Sequence, residues 1–157
     1  GMLVTVSSGN QGSGTQMAAP ACNQNATSVG AVWDSNIGPI TILGCSETAT
    51  AADQVTCFSN SNATTDLFAP GAPTTSTGLP APTSTYFGTS QAAPLVGACA
   101  ADLFQARPST TPAEMEAALK SSLVLVTDPT NGLSFPRLDC ERALQQVPVE
   151  LMGFSVE

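Results

Sequence analysis

Between Ser90 and Gln105 the residues Ala93, Val96, Gly97, Ala100, Leu103 and Phe104 recur at helical spacing, and the inward stripe mixes large side chains with alanine and glycine. Small residues on a buried helical face let the helix axis approach a flat sheet closely, so this stretch reads as a buried helix laid on strands and ended by Pro108. Two runs supply such strands. Met2 to Val6 is continuously apolar and β-branched, and Ala26 to Trp33 repeats the pattern; unbroken apolar runs mark strands covered on both faces, as in parallel sheets. Asp66 to Ala69 reads as a short third strand stopped by Pro70-Gly71. Helix on parallel strands makes the expected class α/β. Chains seldom begin inside a central strand, so neighbours of the first run are expected upstream of Gly1.

The remaining segments divide into polar excursions and one well-signalled helix. Asp34 to Asn62 is rich in Thr, Ser and Asn and reads as a surface excursion in which the stretch between Cys45 and Cys57 folds back as a hairpin, letting the two sulfurs form a disulfide. Thr74 to Thr85 reads as a mobile Pro/Ser/Thr surface loop. Thr111 caps a helix with Pro112 at its first position and Glu114 three residues on, turning Met115, Ala118 and Leu119 inward. Ser122 to Thr127 reads as a strand, Asn131-Gly132 as a turn and Pro136 to Val147 as a closing helix. Residues 1–147 then form one unit, and 148–157, alternating apolar and polar, read as a linker or the start of a further domain.

Composition removes several functions. The net charge is -8 and Arg107, Lys120, Arg137 and Arg142 are the only cations, so no basic patch is available for nucleic acid. The chain has no histidine, which excludes a self-contained Ser-His-Asp triad and any imidazole-dependent zinc site. Acidic residues are scattered and never spaced as a calcium loop, so neither metal nor cofactor is expected. Five cysteines without a Cys-x-x-Cys pair fit disulfides in an oxidising compartment, with an odd one left over; Cys99, in its apolar helix, reads as a small buried hydrophobe, and Cys22 and Cys140 have no assigned partners. No apolar run reaches the roughly 18 residues of a membrane span. Asn25-Ala26-Thr27 and Asn62-Ala63-Thr64 match the glycosylation triplet, a pattern common by chance.

Two motifs carry chemistry. In Gly88-Thr89-Ser90-Gln91-Ala92-Ala93-Pro94 a serine opens a small-residue helix, where backbone N–H groups and the helix dipole can stabilise an anion formed at its hydroxyl; an ordinary N-cap serine fits the same context. In Ser7-Ser8-Gly9-Asn10 an asparagine follows a strand at the carboxyl edge of the sheet, where ligand sites collect and its amide can donate to an oxyanion; a simple turn asparagine fits equally.

The order of these blocks, with Pro20-Ala21, Ser28-Val29-Gly30-Ala31-Val32, Phe58-Ser59-Asn60 and Asp66-Leu67-Phe68-Ala69-Pro70-Gly71 between them, resembles the subtilisin-like serine proteases from Met2 to Leu144. The resemblance implies the second half of a three-layer α/β domain, a parallel sheet with helices on both faces. It makes Ser90 the acylated nucleophile, Asn10 the side-chain oxyanion donor beside the Ser90 N–H, and Ser7, Ser8 and Gly9 a wall of the pocket for the residue before the scissile bond. Gln91 stands where the family usually has methionine and Leu95 where it has a structural histidine. The family's Asp and His blocks precede the Ser-Gly-Asn strand, so the implied partner is an upstream half of the same domain. The isolated chain is expected to be inactive, and the whole protein to be a secreted, periplasmic or surface endopeptidase acting on peptides. Two rivals stay open: a serine-carboxyl acid peptidase, which shares Gly-Thr-Ser and needs no histidine but carries aspartate where Asn10 stands, and a pseudoprotease that binds peptides without cutting them.

Overall fold

The computed structural model describes residues 1–146, and the expected linker at 148–157 lies outside them. In chain order the elements are β1 (Thr5–Ser7), β2 (Thr27–Trp33), β3 (Ile40–Ile42), β4 (Cys45–Glu47), β5 (Leu67–Ala72), β6 (Thr74–Thr77), β7 (Thr83–Tyr86), α1 (Thr89–Ala106), α2 (Pro112–Leu119), β8 (Leu125–Thr127), β9 (Ser134–Pro136) and α3 (Cys140–Gln146). Strands β1, β2 and β5 form a parallel sheet in that spatial order, with Ser7 opposite Val29 and Val29 opposite Leu67. The first strand is shorter and later than the Met2 to Val6 run, because only Thr5–Ser7 reach register with β2.

Strand alternation sorts the core into two faces. Val29, Ala31 and Trp33 of β2 and Leu67 and Ala69 of β5 join α1 in one cluster, while Val32 and Phe68 turn the other way onto Val55, Val126 and Phe135. The parallel α/β sheet is therefore as expected. Among the described residues α1 lies across all three strands with α2 and α3 against it, and the β8–β9 hairpin supplies cover on the opposite face. Each fully buried Leu such as Leu103 or Leu119 stabilises by roughly 1.5–3 kcal/mol. Trp33 sits edge-on to Phe58 and Phe87, with ring centroids 6.3 and 6.2 Å away, and its indole N–H donates to Glu47 Oε1 at 2.8 Å.

Several expectations need correction. The third strand runs on through Pro70 and Gly71 to Ala72. Among the described residues β5 is the last strand of its sheet, bordered on the outer side by the isolated Phe68–Arg137 bridge, so it tolerates the missing proline N–H, and the register shift between Val32 and Trp33 absorbs Gly71 as an extra residue. The Thr74 to Thr85 loop is instead the antiparallel β6–β7 hairpin, its exposed threonines paired across strands, as at Thr75 and Thr85. The closing helix starts at Cys140, and Pro136 belongs to β9. Cys99 is buried but bonded to Cys140, linking α1 to the start of α3. Cys45 and Cys57 are also bridged, but the hairpin beside them is β3–β4, in which Cys45 opens the second strand and pairs with Ile42, so the hairpin is not formed by the stretch between the two cysteines. Cys22 is exposed with a free thiol. Helix α2 follows expectation: the Thr111 hydroxyl accepts from the Glu114 N–H, the Glu114 carboxylate accepts from the Thr111 N–H, and Pro112 opens the first turn.

Candidate active site

Parallel strands put all their carboxyl ends at one edge, and there the end of β1, the end of β5 and the start of α1 converge. The Gly88 N–H donates to the Gly71 carbonyl at 2.9 Å, which fastens the start of α1 to β5. A Cβ on Gly71 would lie 2.7 Å from the Gly88 oxygen and 2.8 Å from Ala31 Cβ, so glycine is what allows this approach. The N-cap of α1 is Gly88, without a side-chain cap bond, so capping does not account for Ser90. Ser90 lies in the first turn with its side chain exposed. Around it, the Thr89 N–H is taken by Asn10 Oδ1 and the Gln91 N–H by the Gly88 carbonyl. The Ser90 N–H falls between them, in the first turn, where helix geometry supplies no carbonyl.

Asn10 is held from in front by Thr89. Its Oδ1 accepts from the Thr89 N–H at 2.9 Å and from the Thr89 hydroxyl at 2.8 Å, while that hydroxyl oxygen accepts from the Gly9 N–H at 3.2 Å. A backbone N–H can only donate, so the carboxamide oxygen must face Thr89 and the Nδ2 is the end left to donate elsewhere. That Nδ2 lies 3.2 Å from where a Cβ of Gly88 would sit, beside the turn that carries Ser90. The resemblance pairs Asn10 with the Ser90 N–H; the fully buried Thr89 is the residue whose hydrogen bonds join the two turns, a role that no local pattern in the sequence marks.

The other residues of the β1 turn face different ways. Ser7 ends β1 opposite Val29, half-buried. Ser8 is fully buried, and its hydroxyl donates inward to the Asn60 carbonyl at 2.7 Å, so this turn offers a ligand its backbone rather than the Ser8 hydroxyl. Gly9 has φ +111, a conformation that L side chains rarely adopt. Cys45 and Cys57 stand outside this assembly, though Cys57 leads directly into Phe58–Asn60 beneath it. Beyond the turn, buried Asp128 accepts the Ser61 hydroxyl at 2.6 Å and the Thr130 hydroxyl at 2.7 Å, and Asn131 Nδ2 donates to the Gly14 carbonyl at 3.0 Å.

The assembly carries no ionisable group: residues 7–10, 58–61 and 88–91 are Ser, Gly, Asn, Phe, Thr and Gln. With no histidine in the chain, the Ser90 hydroxyl has no imidazole to take its proton. The shifted groups lie elsewhere, on and just after α2. Hydrogen bonds from the Thr111 N–H and then its hydroxyl hold Glu114 below the usual carboxylate range. Burial pulls Lys120 down, but its hydrogen bond and charge pairing with Asp66, and then with Glu116, outweigh that and hold it above the ordinary amine range. Among the described residues no group of three or more His, Cys, Asp or Glu side chains is disposed to hold a metal ion, and no helix is long and apolar enough to cross a membrane.

Solved structures share this architecture. The prenylagaramide maturation protease PagA is 21% identical, with TM-score 0.71 over 94% of this chain and 51% of its own. A protease of Pseudoalteromonas arctica is 24% identical, with TM-score 0.67 over 94% of this chain and 43% of that one. The self-cleaved protease domain of PatA is 24% identical, with TM-score 0.68 over 93% of this chain and 50% of that one. The chain thus spans about half the length of the solved structures it resembles. No curated protein matches it. The Subtilase family profile matches residues 1–142, a span that contains the β1 turn, the Gly88–Ser90 turn and their supports, and the chain belongs to that family.

Proposed function

We propose that this chain is the serine-bearing half of a secreted subtilisin-like endopeptidase, with Ser90 as nucleophile and Asn10 Nδ2 and the Ser90 N–H as oxyanion donors. The observation that carries the reading is the pair of hydrogen bonds that Thr89 donates to Asn10 Oδ1, which leaves the Asn10 Nδ2 as a donor next to Ser90. The aspartate and histidine come from residues outside this chain, in an upstream half of the domain. The absence of histidine and the half-length match to related structures both support that division. In the complete site the histidine takes the Ser90 hydroxyl proton as Oγ attacks the peptide carbonyl; the tetrahedral anion is held by Asn10 and the Ser90 N–H. Collapse breaks the C–N bond and the imidazolium returns its proton to the leaving amine. Water then cleaves the acyl ester by the same steps. Ser7–Gly9 line the pocket through their backbone, and two disulfides suit an oxidising compartment.

Without the base this chain is inactive alone, since serine at its ordinary pKa is a poor nucleophile. The test is fluorophosphonate labelling at neutral pH of this chain alone and of the protein containing its upstream coding segment, each beside Ser90→Ala. Labelling of Ser90 in the longer protein only is the expected result. Asn10→Ala there should lower kcat by about a hundredfold to a thousandfold, the range known for removal of an oxyanion-hole asparagine from a subtilisin and taken over here by resemblance. A folded longer protein that fails to label at neutral pH sinks this mechanism. Labelling at acid pH only would then favour the serine-carboxyl chemistry, and none at either pH a peptide-binding pseudoprotease.

A further inference from the structure

We infer that Asn60 is a positioning residue for the oxyanion donor Asn10, an inference that rests on the reaction proposed above. Asn60 belongs to the Phe58-Ser59-Asn60 block and is 3% exposed. Its Oδ1 accepts from the N–H groups of Gln11 and Ser13, both at 3.0 Å, and its Nδ2 donates to Gln11 Oε1 at 2.7 Å. Its backbone N–H donates to the Gly9 carbonyl at 2.9 Å, and its carbonyl accepts the Ser8 hydroxyl at 2.7 Å. Both residues flanking Asn10 in the chain are therefore tied to Asn60, while Asn10 itself is tied to Thr89 on the other side.

Gly9 shows how tightly this is built: a Cβ there would run into Asn60 Nδ2, and would lie 2.8 Å from Gln11 Oε1 and 2.9 Å from Ala18 Cβ. The carboxamide of Asn60 fills the space beneath the turn that a side chain on Gly9 would need. Without it, the Gln11 and Ser13 N–H groups lose their shared acceptor and must find others by moving the segment that carries Asn10. An oxyanion donor works only when it is aimed in advance at the developing charge, so a small displacement of the turn removes rate rather than ground-state binding.

The experiment is a double-mutant cycle in the protein containing the upstream segment, with turnover of a peptide p-nitroanilide normalised to fluorophosphonate-labelled sites. Asn60→Leu should lower kcat about tenfold to a hundredfold with little change in KM. In the Asn10→Ala background Asn60→Leu should cost about twofold or less, because the group it positions is gone. Should Asn60→Leu not fold, Asn60→Ser enters the same cycle with the same expectation. Losses that multiply, or a lower Tm with kcat per labelled site intact, overturn the inference while the serine-protease reading stands. Turnover per mole of protein that is unchanged in Ser90→Ala or in Asn10→Ala overturns both.

Discussion

Two threonines make nearly the same set of bonds in different parts of the molecule. At the start of α2, the Thr111 hydroxyl accepts from the N–H of Glu114 and donates to its carboxylate, three residues away. At the start of α1, the Thr89 hydroxyl accepts from the N–H of Gly9 and donates to Asn10 Oδ1, with sequence separations of 80 and 79. The first box needs only its own turn. The second exists only once β1, β2, β5 and α1 have assembled, and the groups a peptidase would use lie in the second. Local polar bonds stabilise an element; long-range ones define a site, and they fail together when the packing that brings them close fails.

Removing long-range constraints should therefore cost more than removing the local cap. The largest loss of stability is expected for Cys99→Ser with Cys140→Ser, which opens a loop of sequence separation 41 and frees α1 from α3. The chain-entropy relation puts it at about 4 kcal/mol, against about 3 kcal/mol for the shorter Cys45–Cys57 loop. Urea midpoints of the folded protein check the order, and an equal or reversed pair would show that unfolded-state entropy is not what these bridges supply.

Gly9→Ala comes next. It forces a side chain into φ +111 and into the space of Asn60. Backbone strain alone should cost about 1–3 kcal/mol, and labelling of Ser90 in the longer protein should fall with it. A variant that labels at the parental rate would mean the turn has more freedom than its hydrogen bonds allow.

Thr111→Ala should cost only about 1 kcal/mol and leave the Ser90 labelling rate alone. It carries a pH signature as well. Glu114 is held below its unfolded value, so its contribution is present above the ordinary carboxylate pKa and is lost as pH falls through the folded one. Thr111→Ala should flatten that acid limb in melts recorded across the range, whereas a slope that persists would assign it to other carboxylates.

Sequence legibility follows the same division. The α2 cap, its proline and its buried Met115, Ala118 and Leu119 were readable because every partner lies within one turn. Ala93, Val96, Ala100 and Leu103 of α1 and the core of β2 were readable because periodicity reports burial without naming what does the burying, whereas Phe104, expected on the same stripe, is half exposed. Pro70-Gly71 misled because proline stops a central strand but not an edge strand, and edge position is a property of the sheet. The β6–β7 hairpin was missed because its threonines pair across strands with little apolar alternation to reveal them. Cys99 looked like a hydrophobe because its burial was visible and its partner, Cys140, was not.

The chemistry divides likewise. Residue identity alone determined that the chain has no histidine, that Ser90 opens a small-residue helix and that Asn10 follows a strand. Only the tertiary structure decided which way the Asn10 amide faces, what Thr89 joins, and that Asn60 lies beneath Gly9. Those facts depend on directed hydrogen bonds between segments about 50 to 80 residues apart, and a chain records such bonds in no local pattern.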